Sequence, residues 1–202
     1  ASAPKAASAV EGRLRRAAVA TEHLSLNIGP QHPSTHGVLR ILSEMDGEYI
    51  VGAEMDIGFL HRGIEKLAEH RTYPMLGTLL DRGDYVSGIH GEIAVALATE
   101  KLMDVDVPEK AKWIRVLLGE MTRVTSTLIY YGTLGLDSGS MGPFLYAMRE
   151  REPLIDMIEA VTGSRMMFNY VRPGGVVEDL PADLEGKLRA FLKTYFDYMD
   201  EH

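Results

Sequence analysis

The sequence predicts an α+β, predominantly helical protein in which a small N-terminal antiparallel sheet is followed by a helical bundle. Two patterns carry that expectation: strand-type alternation with a turn between Leu24 and about Ile57, and apolar residues at three- and four-residue steps after Gly63. The third is size. A chain of 202 residues with 46% hydrophobic content buries a sizeable core without a disulfide or metal staple.

The elements follow in order. Leu39, Ile41 and Met45 fall on one strand face, and Asp46-Gly47 is a hairpin signal ahead of Tyr49-Ile50-Val51. After Gly63, Ile64, Leu67 and Ala68 share one helix face against Glu65, Glu69 and Arg71, until Pro74 interrupts. A second helix is predicted from Asp84 to about Leu102. Pro108 opens a long core helix through Ile114, Leu117, Leu118, Met121, Val124 and Leu128. A glycine-rich break is predicted over 132–142, then a helix from about Pro143 to Val161, a turn at Pro173-Gly174-Gly175 and a last helix from near Pro181. That last helix carries the stripe Leu188, Phe191, Leu192, Tyr195, Phe196 and Met199 with no capping glycine or proline after it.

Composition narrows the function. Lys+Arg number 21 against Asp+Glu 29, a formal charge of -8, which argues against a nucleic-acid backbone as main partner. Charged residues interrupt every apolar stretch, so no run reaches the eighteen or so residues of a membrane-spanning helix. With no cysteine, this chain offers no thiolate nucleophile and no Cys-ligated iron-sulfur or metal site. Residues 1–21 are Ala-rich, with Lys5, Arg13, Arg15 and Arg16 against Glu11, and residues 1–22 are expected to be an extended, disordered tail resembling the remainder of an organellar transit peptide.

Several residues could carry chemistry. The loop from Gly29 to Gly37 packs two prolines, His32 and His36 between strand-like segments, either as a tight loop with surface histidines or as a pocket loop whose imidazole exchanges protons near neutrality. Asp81-Arg82-Gly83-Asp84-Tyr85 is dense in charge at a helix start, where Asp81 or Asp84 could simply cap the helix. Asp137, at a helix break, could cap it or stand buried beside a histidine. His32, His36, His61, His70 and His90 form no zinc-type pattern on one helix, so no protein-held metal is expected, and His61 and Arg71 are assigned to packing and ion pairing.

The string from Leu26 to Arg40, with Ile57–Lys66, Thr72-Tyr73, Asp81-Arg82, Asp84-Tyr85, Trp113–Leu117 and Tyr170–Gly175, resembles the 49-kilodalton, or D, subunit family of respiratory complex I. The resemblance covers nearly everything after residue 23 and corresponds to the N-terminal half of that family. It implies a fold similar to nickel-iron hydrogenase large subunits: Arg62-Gly63-Ile64-Glu65 survives, and the metal-ligand region corresponds to Arg82–Tyr85. It also implies that residues 23–202 form half of a quinone-site domain whose last helix continues in, or packs on, a C-terminal half supplied by a separate chain.

By resemblance, His36 and Tyr85 are the quinone headgroup ligands, Asp137 the acid paired with that histidine, and Arg82 a cation near a partner's terminal iron-sulfur cluster. The implied activity is NADH:ubiquinone oxidoreduction coupled to proton translocation, carried out only within the multisubunit complex. A non-catalytic assembly scaffold is the alternative. Ubiquinone is then the substrate, and a 4Fe-4S cluster is held by an adjacent subunit. Implied partners are the terminal-cluster subunit, the 30-kilodalton-type subunit and the membrane subunit where quinone enters. The implied location is the matrix side of the mitochondrial inner membrane, with the cytoplasmic side of a bacterial plasma membrane as alternative. Two positions depart from the family: Met167 and Asp56 stand where it usually has histidine. The first departure implies that a pH dependence of cluster potential conferred by that histidine is absent.

Overall fold

The computed structural model describes residues 23–32 and 35–200, so the expected N-terminal tail and the loop positions Pro33 and Ser34 lie outside the described residues. The chain divides after Arg62 into two compact units.

The first unit is a three-stranded antiparallel sheet in the order β1 (His23–Ile28), β2 (Arg40–Asp46), β3 (Tyr49–Asp56). Asp46 pairs with Tyr49, so the two-residue turn is Gly47-Glu48, one residue beyond the predicted Asp46-Gly47. Gly47 takes a φ of 61°, the left-handed conformation such a turn demands and glycine adopts without strain. A register shift between Glu44 and Met45 bends the sheet. Ser43 is buried, whereas Leu24, Tyr49, Ile50 and Met55 are exposed.

The second unit is helical: α1 (Ile64–Glu69), α2 (Tyr73–Leu80), α3 (Gly88–Met103), α4 (Glu109–Asp137), α5 (Gly142–Thr162) and α6 (Leu184–Met199), with a two-stranded ribbon of β4 (Val171–Arg172) and β5 (Gly175–Val176) between α5 and α6. Pro74 does not merely interrupt a helix. It sits in the first turn of α2, where its missing N–H costs nothing, and so starts an element that the periodicity does not announce. α3 begins four residues later than Asp84, leaving Asp81–Ser87 as a turn.

The predicted break at 132–142 is mostly helix. α4 runs on to Asp137, and its glycines serve close packing rather than interruption. A Cβ at Gly132 would lie 3.2 Å from the Ala147 Cβ, and one at Gly135 would lie 2.8 Å from the Pro143 Cβ. The core lies along this α4–α5 seam: Ile114, Leu118, Met121 and Leu128 meet Ala147, Leu154, Met157, Ile158 and Val161. Ile89, Phe168 and Tyr170 extend it. On α6, Leu188, Phe191, Tyr195 and Met199 turn towards that core, while Leu192 and Phe196 are exposed.

Candidate functional site

The Asp81–Ser87 turn is built from backbone carbonyls that the end of α2 leaves open. The Asp81 N–H donates to the Gly77 carbonyl, Gly83 N–H to Leu80, Ser87 N–H to Asp84, and the Arg82 guanidinium to the Thr78 carbonyl at 2.6 Å. The turn therefore holds Arg82 and Tyr85 outward, with Tyr85 46% exposed. Ser87 Oγ and His90 Nδ1 lie 2.7 Å apart at the start of α3.

Asp81 is not a surface cap. It is 0% exposed, and its Oδ1 lies where a Cβ on Gly88 would be, at 2.2 Å. Facing it is Glu92, 1% exposed, whose carboxylate accepts the backbone N–H groups of Asn169, Tyr170 at 2.9 Å and Val171 at 2.8 Å. Burial pushes the Glu92 carboxyl up to about 7, opposed by the amides of Val171 and Tyr170 and assisted by the charge of Asp81. Burial pushes Asp81 up too, against the pull of Glu92, Asn169 and Arg82. Sequence reading misses this pair: Glu92 sits 77 residues from Asn169, and nothing local marks it.

A second buried acid is handled differently. Glu100 receives both Arg115 Nη1 at 3.1 Å and Nη2 at 2.6 Å, and Arg115 also donates to the carbonyls of Arg172 and Gly175, each at 2.9 Å. The Gly174 N–H completes the cluster on Glu100 Oε1 at 2.8 Å. The Arg115 guanidinium holds the Glu100 carboxyl below the usual range. The outcome is a fork that ties α3, α4 and the Arg172–Gly175 turn together.

The other predicted residues sit as follows. In the first unit, His36 is exposed with a φ of 51°, beside Gly37 at 76°. Buried Thr35 organises that loop by donating to the carbonyls of Pro30 at 3.2 Å or His32 at 3.1 Å. Asp137 is exposed at the C-terminal end of α4, so it is neither buried nor a cap: that end presents carbonyl acceptors, to which a carboxylate has nothing to donate. His61 and Arg71 are both exposed. Tyr85, Arg82 and Asp137 belong to the second unit and His36 to the first. Met167 adopts a φ of 58° on the segment leading to Asn169.

Among the described residues no three His, Asp or Glu side chains are grouped to hold a metal ion, and no helix is long and apolar enough to cross a membrane. A groove of 590 Å³ between α4 and α6, lined by Leu117, Leu180, Leu184, Leu188 and Leu192, contains none of the candidate residues. Its lining is mostly apolar, and its two charged members, Glu185 and Arg189, are hydrogen-bonded to each other at 2.9 Å.

Comparison with known proteins gives a consistent result. The family described as respiratory-chain NADH dehydrogenase, 49 Kd subunit, matches residues 137–202. The D subunit of NADH-quinone oxidoreductase from Citrifermentans bemidjiense is 48% identical over 184 residues, covering 91% of this chain and 47% of the relative. The D subunit numbered 2 from Chloroflexus aurantiacus is 48% identical, covering 90% of this chain and 44% of its own length. The D subunit from Gluconacetobacter diazotrophicus is 49% identical, covering 88% and 42%. These relatives are bacterial. The chain spans about half the length of the curated relatives it matches.

Proposed function

Because the chain belongs, over its matched length, to the family of the 49 Kd subunit of respiratory-chain NADH dehydrogenase, the D subunit of NADH-quinone oxidoreductase, we propose that it supplies part of a quinone headgroup site in a multisubunit complex. The observation that carries this reading is the near-50% identity to these relatives across about nine-tenths of the chain. The exposed Tyr85 on its anchored turn is compatible with it.

The proposed roles follow from side-chain chemistry. Tyr85 and His36 each have a hydrogen to direct at a quinone oxygen, and two such donors both orient the ring and can deliver protons as negative charge develops. Asp137 is assigned to His36 as the acid that stabilises its imidazolium. Arg82 places positive charge towards a 4Fe-4S cluster held by an adjacent subunit, where a cation favours the reduced state. Ubiquinone is the proposed substrate, and coupling to proton translocation belongs to the assembled complex.

The fold is proposed to be that of the hydrogenase large subunit, with the apolar α4–α6 groove covered by the family's C-terminal half. The terminal-cluster, 30-kilodalton-type and quinone-entrance membrane subunits are the proposed partners. A peripheral position on an energy-transducing membrane follows. Of the mitochondrial inner membrane and the bacterial plasma membrane, the bacterial relatives support the latter.

The test is substitution in the assembled complex. Tyr85→Phe removes one hydroxyl and His36→Ala one imidazole, and each is expected to lower quinone reduction by about 10²-fold, the scale of a lost proton donor. Electron transfer from NADH to an artificial acceptor should be unchanged. Equal loss in both assays, or none in either, overturns the assignment.

A further inference from the structure

We propose that Asp81 and Glu92 hold a single proton between them, and that this proton fastens the Arg82–Tyr85 turn to the Asn169–Val171 segment. The argument begins with a count of acceptors and donors. A carboxylate accepts at about four positions, and three backbone amides already occupy Glu92. What remains of Glu92 faces Asp81, whose two buried oxygens receive no hydrogen of their own, because the nearby Asn169 N–H that also pulls on Asp81 is donated to Glu92 Oε1.

Two buried carboxylates have no donor to share, and an unpaired anion at 0% exposure is strongly disfavoured because it has lost its hydration without gaining a partner. One proton answers both problems: it removes a charge and supplies the O–H that the contact lacks. The three amides favour the negative charge on Glu92 and Arg82 favours it on Asp81, so the one proton is shared between the two carboxyls rather than owned by either. Gly88 makes this approach feasible, since any side chain there would occupy the place of Asp81 Oδ1.

The surroundings bear on the pair from each side. Arg82, on the same turn, favours the anion at Asp81. His90 is turned to Ser87, and the Arg172 guanidinium reaches the Asn169 carbonyl at 3.4 Å rather than either carboxyl. Desolvation outweighs these and raises both carboxyls, Glu92 to about 7, a value that belongs to the proton the two share. Above that value the proton leaves to solvent, two anions face each other, and the fastening weakens.

Asp81 and Glu92 are thus positioning residues: they touch no substrate but set where Arg82 and Tyr85 stand. The effect on turnover rests on the quinone role proposed for Tyr85, whereas the shared proton does not. Both are tested in the full-length complex by amide hydrogen exchange of the peptide spanning Asn169–Val171, corrected for intrinsic rates, from about pH 6 to about pH 8.

In the parent, protection of these amides is expected to fall about tenfold across that range. In Asp81→Asn, whose amide donates to Glu92 without a titratable proton, protection should be independent of pH, and the alkaline decline of quinone reduction should flatten. Glu92→Gln is expected to lose protection at every pH, because a neutral amide oxygen replaces the anion under three donors. A parent profile flat in pH, or one identical to that of Asp81→Asn, overturns the proposal. If the exchange behaves as stated while Tyr85→Phe leaves quinone reduction intact, the proton pair stands and the quinone reading falls.

Discussion

At the scale of single residues, the turn from Asp81 to Ser87 separates two functions that the sequence merges. Charge density at Asp81–Tyr85 flags the region, and its alternative reading is a solvated cap. Burial reverses that for Asp81 alone: it lies beneath the turn while Arg82 and Tyr85 lie above it. One glycine enforces the arrangement. Gly88→Ala would set a Cβ at 2.2 Å from Asp81 Oδ1 and 2.9 Å from the Asp81 carbonyl oxygen, so the buried carboxyl must move. Denaturant unfolding of this variant should show a loss of about 1–3 kcal/mol, the usual range for overpacking. Gly186→Ala, in α6 with nothing within 4 Å, should instead gain up to about 1 kcal/mol from helix propensity. Equal effects of the two would show that the Gly88 contact carries no cost. Glu92 is illegible in the sequence because its partners are backbone amides far along the chain, and a main-chain donor leaves no signature in residue type.

At the scale of elements, periodicity locates the long helices well, since α4 and α5 each bury a continuous stripe against the other. The errors fall at glycine and proline, whose local preferences are overridden by packing. Glycine weakens an isolated helix by about 1 kcal/mol relative to alanine, which makes 132–142 read as a break. In the folded chain a Cβ on Gly132 would meet Ala147 and Phe144 at a tight 3.2 Å, and one on Gly135 would meet Pro143 at 2.8 Å, closer than a side chain permits. Gly135→Ala therefore tests which effect prevails. Propensity alone would stabilise, but a Cβ at 2.8 Å from the Pro143 ring is expected to reverse the sign and lower the thermal midpoint by several degrees, about 1–2 kcal/mol. A raised midpoint would mean that α4 and α5 separate freely at that end. Pro74 shows the converse, a residue that reads as a helix breaker and instead occupies the first turn of a helix.

At the scale of the whole molecule, two buried acids give stability opposite dependences on pH. Glu100 is held below its ordinary 4.5 by Arg115, so its contribution is full above that value and lost as pH falls through the lower folded one. Glu92 is raised from 4.5 to about 7, so its contribution is full below 4.5, declines as pH rises, and is gone above about 7. Unfolding free energy measured against pH should accordingly peak in the mildly acid range. Arg115→Met should flatten the acid limb and Asp81→Asn the neutral one; unchanged limbs would exclude these groups as the cause. The candidate site is legible where it follows from local strings, at His36, Arg82 and Tyr85, and illegible where it depends on what the fold brings alongside them. Asp137, legible as an acid at a helix end, proves to lie at the end where capping is unavailable to it. The Arg115 fork has a further consequence for how the chain can vary in length. The Gly47-Glu48 hairpin is solvent-exposed, so an inserted residue there would lengthen a ribbon and little else. The Pro173-Gly174 corner is another matter: both carbonyls flanking it are already acceptors of a buried guanidinium, and the amide between them is spoken for by Glu100. A single insertion or deletion at that corner would withdraw several partners from one trapped cation together, making it a place where the polypeptide tolerates changes of letter far better than changes of spacing.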